Sequence, residues 1–184
     1  MKFIKTEISD VYIIEPSVFG DDRGYFLESF NLEKFEENIY PIKFIQDNES
    51  KSSRGVIRGL HFQKPPFNQA KLVRCIEGKV IDVAVDIRRG SPTYGKHVAI
   101  ELSGENKRQL FVPRGFAHGF SVLSESAIFA YKVDNTYTPE SDAGIRYDDK
   151  ELNIDWGLSE EDVELSVKDE NLSFFKDLDS PFKF

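Results

Sequence analysis

The stretch KLVRCIEGKVIDVAVDIR, residues 71–88, predicts two β-strands that meet near Glu77-Gly78. In its second half, four aliphatic residues alternate with smaller or acidic ones and share one face of a strand, namely Ile81, Val83, Val85 and Ile87. Asp82 and Asp86 therefore lie on the opposite face.

Short β-rich runs continue on both sides of this hairpin, from VYIIEP (11–16) to AIFAYKVDN (127–135), and Gly, Pro, Asn and Ser separate them. This spacing predicts a sandwich or closed antiparallel barrel, whose mouth is a usual place for a small-molecule site. Helix is expected only at NLEKFEENI (31–39), with Asn31 as its N-cap, and near ENLSFFKDL (170–178). The acidic run SEEDVE (159–164) is expected to form a solvated turn.

The composition predicts one globular domain over residues 1–184. Hydrophobic residues make up 40% of the chain, and 16 Phe stand against one Trp and one Met, so the core is expected to consist of Phe, Ile, Val and Leu. Cys75 is the only cysteine, which excludes an internal disulfide and a Cys-based zinc pair. We expect a buried, structural thiol.

The net charge of -8 argues against nonspecific binding to nucleic acid or to anionic membranes, because both would repel the chain at long range. The opening MKFIKTEISD lacks an apolar signal region, and no run approaches the roughly 18 apolar residues of a membrane span. We expect a cytoplasmic protein without a membrane or nucleic-acid partner.

Only three histidines are present, so each can be weighed separately. His97 begins the run HVAIELS and is expected to be a surface or strand-edge residue. FVPRGFAHGF (111–120) contains P-x-G-x-x-H, which sets His118 at the head of a strand and resembles the second cupin motif. The first cupin motif, which normally offers H-x-H and a carboxylate, is replaced by GLHFQ, so His61 lacks the partners of a typical zinc site. We expect no metal and no other cofactor.

Seven separated segments, in order along nearly the whole chain, together resemble the dTDP-4-dehydrorhamnose 3,5-epimerase family: VFGDDRGYFLESF, FIQDNES, RGLHFQ, QAKLVRC, NKRQLFVPRGFAHGF, YKVDNTY and LSVKDE. The resemblance implies an all-β, cupin-like jelly roll with a few short peripheral helices. It also implies inversion of carbons 3 and 5 of a nucleotide-linked 4-keto-6-deoxyhexose, most simply dTDP-4-dehydro-6-deoxy-D-glucose. Such a reaction needs a base, a group that stabilises an enolate, and an acid on the opposite face of the sugar.

The resemblance assigns these tasks to four residues. His61 takes the position of the base, and Asp169 that of the carboxylate that orients it, a logic shared with catalytic triads. Tyr131 takes the position of the proton donor. Lys71 lies where a cation stabilises the developing enolate, an effect of about 3–4 kcal/mol for a well-placed donor.

The resemblance also implies residues that bind the substrate. Arg58, Arg23 and Lys168 match contacts to the diphosphate, for which arginine is well suited. Five residues match the nucleotide positions: Phe19, Glu28, Gln46, Asn48 and Tyr137, with Tyr137 expected to stack on the base. His118 matches a substrate contact and is expected to donate a hydrogen bond to the sugar or its oxyanion. Asp82, across the same sheet face, is expected to orient Lys71 or His118.

Two further implications concern strand geometry and assembly. Strict alternation puts Arg58 and His61 on opposite faces, so we expect Gly59 to allow a bulge that turns both inward. The resemblance implies a homodimer in which residues 18–29 of one chain complete the nucleotide site of the other. Unpaired strand edges give such a dimer a physical basis.

The residues leave alternatives open. The loop QKPPFNQAK (63–71) departs from the family pattern, and Asp142 stands where the family commonly has Glu. These departures bear on the sugar and nucleotide preference and not on the reaction class. A single-centre epimerase, a ketoisomerase acting on a related nucleotide-linked keto sugar, and a non-catalytic sugar-binding cupin are the competing hypotheses.

Overall fold

The computed structural model describes residues 1–184 and consists mainly of antiparallel β-sheet. The strands are β1 (Lys2–Lys5), β2 (Tyr12–Glu15), β3 (Val18–Asp21), β4 (Gly24–Leu27), β5 (Gln46–Ser53), β6 (Ile57–Gln63), β7 (Lys71–Glu77), β8 (Lys79–Asp86), β9 (His97–Ser103), β10 (Gln109–Val112), β11 (Phe116–Val122), β12 (Ser126–Val133) and β13 (Asp142–Gly144). The helices are α1 (Leu32–Asn38) and α2 (Val167–Glu170), with 3-10 turns at Pro139–Ser141, Glu160–Asp162 and Phe175–Asp177. The predicted turn between β7 and β8 falls at Gly78, whose φ of 81° favours glycine.

Two sheets build the sandwich. The first has the order β1-β2-β10-β7-β12-β5, the second has the order β13-β6-β11-β8-β9, and β3 and β4 form a separate hairpin. The core between the sheets contains Val73, Val80, Ala84, Phe120 and Phe129. The predicted cupin-like jelly roll with few short helices is confirmed.

The C-terminal segment forms a third layer over the outer face of the second sheet. Val83 and Val85 point into this layer, where they belong to one cluster with Trp156, Phe175 and Phe182. The Trp156 indole N–H donates to the carbonyl of Tyr147 at 2.9 Å, and 6% of the residue is exposed. The aliphatic face of β8 therefore binds the C-terminal layer, which leaves Asp82 to point between the sheets.

The helix predictions have mixed outcomes. The side chain of Asn31 accepts from the Lys34 N–H at 3.1 Å and caps α1, as expected, and Phe35 is the buried residue of that helix. The prediction of a helix near residues 170–178 is wrong. That segment contains the last residue of α2 and the 3-10 turn Phe175–Asp177, and the helix lies earlier, at Val167–Glu170, because the Ser166 side chain caps it there. None of the helices combines the length and apolar character needed to cross a membrane.

Candidate active site

A cavity of about 550 Å³ opens between the two sheets, and a second of about 400 Å³ adjoins it. Both are lined by the same four polar residues, His61, Lys71, Tyr131 and Lys168. They therefore form one cleft with two lobes, with the expected base, cation and acid at their junction.

His61 and Asp169 form a close pair although 108 residues separate them along the chain. His61 Nε2 and Asp169 Oδ1 lie 2.5 Å apart, and the carboxylate is 5% exposed while the imidazole is 28% exposed. Burial by itself raises the pKa of the Asp169 carboxyl, but the hydrogen bond with His61, reinforced by Ser166 and Lys168, outweighs it and holds the pKa below its usual value. Asp169 is therefore a charged acceptor that fixes the orientation of the His61 ring.

Arg58 and His61 both face the cavity because β6 is irregular at Gly59. His61 pairs with His118 and Arg58 with Phe120, so β6 has one more residue than β11 between the paired positions. Gly59 has a φ of +118°, and a Cβ there would lie 2.6 Å from the His118 carbonyl oxygen. The expected bulge is present, and glycine is required by both its conformation and the close approach of β11.

His118 forms a second pair with a carboxylate on the neighbouring strand. Its Nε2 lies 2.9 Å from Asp82 Oδ1, with the two side chains 7% and 0% exposed. The other oxygen, Asp82 Oδ2, is buried without a hydrogen-bond partner. Burial lowers the pKa of His118 although Asp82 favours the charged ring, and Lys71 and His61 lower it further. The prediction that Asp82 orients one of the cations of the site stays a prediction.

Lys71 and Tyr131 complete the junction from the first sheet. The Lys71 ammonium lies 6.0 Å from the centre of the Tyr131 ring. Burial lowers the pKa of Lys71 to about 8, against the attraction of Asp82 and Asp142. Burial raises the pKa of Tyr131, while Arg58 acts in the opposite direction. Near neutral pH the lysine thus remains mostly charged and the phenol protonated.

The second lobe carries most of the residues expected at the nucleotide. The Tyr137 hydroxyl donates to Asp142 Oδ2 at 3.0 Å, and the Lys168 ammonium binds the same oxygen. Gln46 Nε2 donates to Asn48 Oδ1 at 2.8 Å on the edge strand β5. These five side chains line the lobe together, and the ring of Tyr137 is exposed there.

Three expected site residues lie away from this cleft in their own chain. Arg23 is 89% exposed at the tip of the β3–β4 hairpin and pairs with Asp21 at 2.5 Å. Phe19 is 65% exposed on the same hairpin. Glu28 accepts from the Lys34 ammonium at 2.7 Å beside α1. The structure does not bring these residues together with His61 within one chain.

The cavity also contains residues that the sequence did not single out. Ser50, Glu164 and Ser166 line the first lobe and Gln69 lines the second. Ser166 precedes the helix in the pattern S-x-x-D, a helix-start signal from which its capping role could have been predicted. Ser50 and Glu164 carry no local signal, because only the packing of β5 and the C-terminal segment around β6 brings them to the cavity.

The donor sets around the two histidines are small. No three His, Cys, Asp or Glu side chains are grouped so that they could hold a metal ion. Gln63, the last residue of β6, donates to the carbonyls of Phe67 and Thr136 at 2.7 and 2.9 Å and so holds two loops together. The expectation of a cofactor-free site stays a prediction.

Comparison with known proteins gives a consistent result over the whole chain. A family model described as dTDP-4-dehydrorhamnose 3,5-epimerase matches residues 5–177. The dTDP-4-dehydrorhamnose 3,5-epimerase of Shigella flexneri is 56% identical over 180 residues, which are 97% of this chain and 98% of the relative.

Solved structures agree with this match. The crystal structure of the dTDP-4-dehydrorhamnose 3,5-epimerase from Elizabethkingia anophelis is 57% identical, with a TM-score of 0.92 over 96% of this chain and 97% of that one. The dTDP-6-deoxy-D-glucose-3,5-epimerase of Legionella pneumophila, in complex with dTDP-4-keto-L-rhamnose, is 49% identical, with a TM-score of 0.95 over 100% of this chain and 98% of that one. The chain, whose jelly roll carries a two-lobed cleft with two His–Asp pairs, belongs to the dTDP-4-dehydrorhamnose 3,5-epimerase family.

Proposed function

We propose that the protein epimerises dTDP-4-dehydro-6-deoxy-D-glucose at carbons 3 and 5 and yields dTDP-4-dehydro-L-rhamnose. The observation that carries this proposal is the position of two proton-transfer groups on opposite walls of one cavity. His61, paired with Asp169, projects from the second sheet, and Tyr131 projects from the first. A sugar between them presents one face to a base and the other to an acid, as inversion requires.

His61 is the base in this proposal. Its Nε2–H donates to the Asp169 carboxylate, so the lone pair of Nδ1 is free to take the proton from the carbon next to the ketone. The electron pair of that C–H bond moves into the bond to carbon 4, and the ketone oxygen becomes an enolate oxygen. The protonated ring then loses its proton to solvent before the second carbon reacts.

Tyr131 is the acid that completes each inversion. Its phenol, held protonated by burial, gives its proton to the opposite face of the same carbon, and the ketone re-forms. The phenolate recovers a proton from solvent. Each cycle thus exchanges one carbon-bound hydrogen with water and leaves the oxidation state of the sugar unchanged.

Lys71 stabilises the enolate between these two steps. Its ammonium borders both lobes, has no ion-pair partner within the chain, and is mostly charged at neutral pH. A cation beside the developing oxyanion is worth about 3–4 kcal/mol when it is positioned before the reaction.

The second lobe binds the nucleotide in this proposal. The exposed ring of Tyr137 stacks on the base, and Gln46, Asn48 and Asp142 provide polar contacts beside it. Lys168, which lines both lobes, and Arg58, which lines the first, contact the diphosphate where the lobes meet. The Arg58 Nε–H donates to Ser52 Oγ at 3.0 Å, which holds the guanidinium in place. Fixed cations at this position allow a chain of net charge -8 to bind an anion.

The active form in this proposal is a homodimer. The β3–β4 hairpin exposes Val18, Phe19, Tyr25 and Phe26, an apolar surface that a partner subunit would cover. Phe19, Arg23 and Glu28 then complete the nucleotide site of the partner. This assignment is supported by their distance from the cleft of their own chain and by the exposure of Arg23.

We also propose that residues 1–184 act as one domain and that the protein works in the cytoplasm without a cofactor. The contact between Asp169 in the C-terminal layer and His61 in the sheet supports the single domain. The free, buried Cys75 suits a reducing compartment.

Solvent deuterium uptake tests the reaction. The protein is incubated with dTDP-4-dehydro-6-deoxy-D-glucose in deuterated water, a parallel sample without protein measures spontaneous exchange, and the product is analysed by NMR and mass. We expect one deuteron at carbon 3, one at carbon 5, and the L-configuration. Exchange at only one carbon would indicate a single-centre epimerase. A carbonyl group moved to another carbon would indicate a ketoisomerase, and binding without exchange would indicate a sugar-binding cupin.

A further inference from the structure

His118 and Asp82 form a buried pair whose role differs from that of His61 and Asp169. Both histidines use Nε2 for the carboxylate, but the Asp82 side chain is fully buried on β8, and His118 lines the cavity from β11. The His118 ring also stacks on Phe129, with ring centres 6.3 Å apart. The ring is therefore fixed on two sides, and Nδ1 is the nitrogen left without a partner in the chain.

The charges around His118 oppose a second proton on its ring. Three titratable groups face it, Asp82 from β8 and His61 from β6 in its own sheet, and Lys71 from β7 in the opposite sheet. Burial and the two basic neighbours keep the ring neutral near pH 7, although Asp82 favours the charged form. A neutral ring carries one N–H, and the carboxylate oxygen at 2.9 Å can only accept, so this N–H is on Nε2.

We infer that Asp82 is a positioning residue that makes His118 a hydrogen-bond acceptor, with Nδ1 receiving a hydroxyl of the sugar, so that stabilisation of the enolate oxygen falls to Lys71. This reverses the expectation that His118 donates to the sugar or its oxyanion. An unprotonated Nδ1 repels an enolate oxygen, whereas it binds a hydroxyl that donates.

The unpartnered Asp82 Oδ2 supports this arrangement. A buried carboxylate oxygen without a hydrogen bond destabilises the fold, and an asparagine could fill the same space without the charge. An asparagine amide, however, donates as well as accepts, and it would allow Nε2 to lose its proton. Only a carboxylate excludes that tautomer, which gives a reason for a fully buried aspartate at position 82.

The tautomer can be measured directly on the full chain. Two-bond proton–nitrogen NMR correlations distinguish Nδ1–H, Nε2–H and doubly protonated rings, and only His61, His97 and His118 contribute signals. We expect neutral, Nε2-protonated His118 at pH 7, and a shift of the proton towards Nδ1 in Asp82→Asn. Asp169→Asn is the matched control, because it should change the His61 signals and leave those of His118 unaltered. A wild-type His118 that is protonated on Nδ1 at pH 7 would overturn the inference even if Asp82→Asn does not fold.

A binding cycle tests the hydroxyl contact, which rests on the proposed function. To prevent turnover during calorimetry, the parent 4-keto sugar nucleotide and its 2-deoxy and 3-deoxy analogues are compared on His61→Asn and on the double variant His61→Asn/His118→Phe. We expect one analogue to bind His61→Asn roughly 3- to 10-fold more weakly than the parent, the range of one hydrogen bond, and this difference to vanish in the double variant. Equal losses in both proteins would refute the contact. Because neither measurement needs turnover, this outcome is separate from a failure of the deuterium test.

Discussion

His61 can act as a base only if one of its ring nitrogens is free of a proton, and the contact with Asp169 determines which one. His61→Asn removes that nitrogen while it keeps a polar side chain of smaller size. We expect deuterium uptake at carbons 3 and 5 to fall by roughly 10²- to 10⁴-fold, the usual contribution of a general base, with nucleotide binding retained. His97 lies on β9 outside the cavity, so the His97→Asn protein should take up deuterium at the wild-type rate. Near wild-type exchange in His61→Asn would exclude this residue as the base.

Tyr131 acts after the proton has been removed, so a variant without its hydroxyl should lose inversion more than deuterium uptake. In Tyr131→Phe we expect His61 still to remove the proton, to exchange it for a deuteron of the solvent, and to return that deuteron to the same face. Deuterium uptake should therefore survive better than inversion, as seen by NMR of recovered substrate. A variant that inverts both carbons at the normal rate would show that the proton comes from another donor.

The lowered pKa of Lys71 predicts an alkaline limb in the pH profile of kcat/KM. Its pKa of about 8 lies below the usual 10.5 of lysine, so the ammonium is present below pH 8 and lost as the pH rises through that value. We expect kcat/KM to fall above about pH 8, and Lys71→Arg to lose this limb because a guanidinium stays charged. A limb unchanged in Lys71→Arg would assign it to a different group.

At the scale of elements, α2 is important because this helix of only four residues contains Asp169. Isolated helices of this length are unstable, so the Ser166 cap at 3.1 Å from the Asp169 nitrogen contributes much of its order. We expect Ser166→Ala to cost about 1 kcal/mol of stability and to reduce kcat several-fold. Ser159→Ala is the matched control, since Ser159 precedes a 3-10 turn without a side-chain cap and should change neither quantity. An unchanged kcat in Ser166→Ala would show that packing alone holds Asp169.

The elements also show how far the sequence could predict the structure. Local signals were sufficient for the β7–β8 turn at Gly78 and for α1 with its Asn31 cap, because backbone conformation and a nearby side chain decide both. The prediction for residues 170–178 is wrong, since Phe175 belongs to the buried cluster of the C-terminal layer, together with Trp156 and Phe182, and tertiary contacts there outweigh helical periodicity. The pairing of His61 with Asp169 joins distant parts of the chain and could be proposed only from the family resemblance.

At the scale of the whole molecule, the exposed hairpin leads to a complementation experiment. Arg23→Ala and His61→Asn proteins should each be nearly inactive, and co-refolding should give mixed dimers with one intact site. With random pairing and independent sites, we expect about one quarter of wild-type activity. A mixture of Arg58→Ala and His61→Asn is the control. Both residues line the same cavity, so its mixed dimers contain no intact site. Absence of recovery in verified mixed dimers of the first pair would assign Arg23 to its own chain.

The single tryptophan lies in the C-terminal layer, away from the cleft, with its indole N–H bound to the Tyr147 carbonyl. Its emission is therefore an optical probe of one layer of the molecule. A red shift would signal that the layer has detached from β8 and that water has reached the indole. Since the same layer carries Asp169, fluorescence recorded alongside each assay separates variants that lose a chemical group from those that lose the support beneath it.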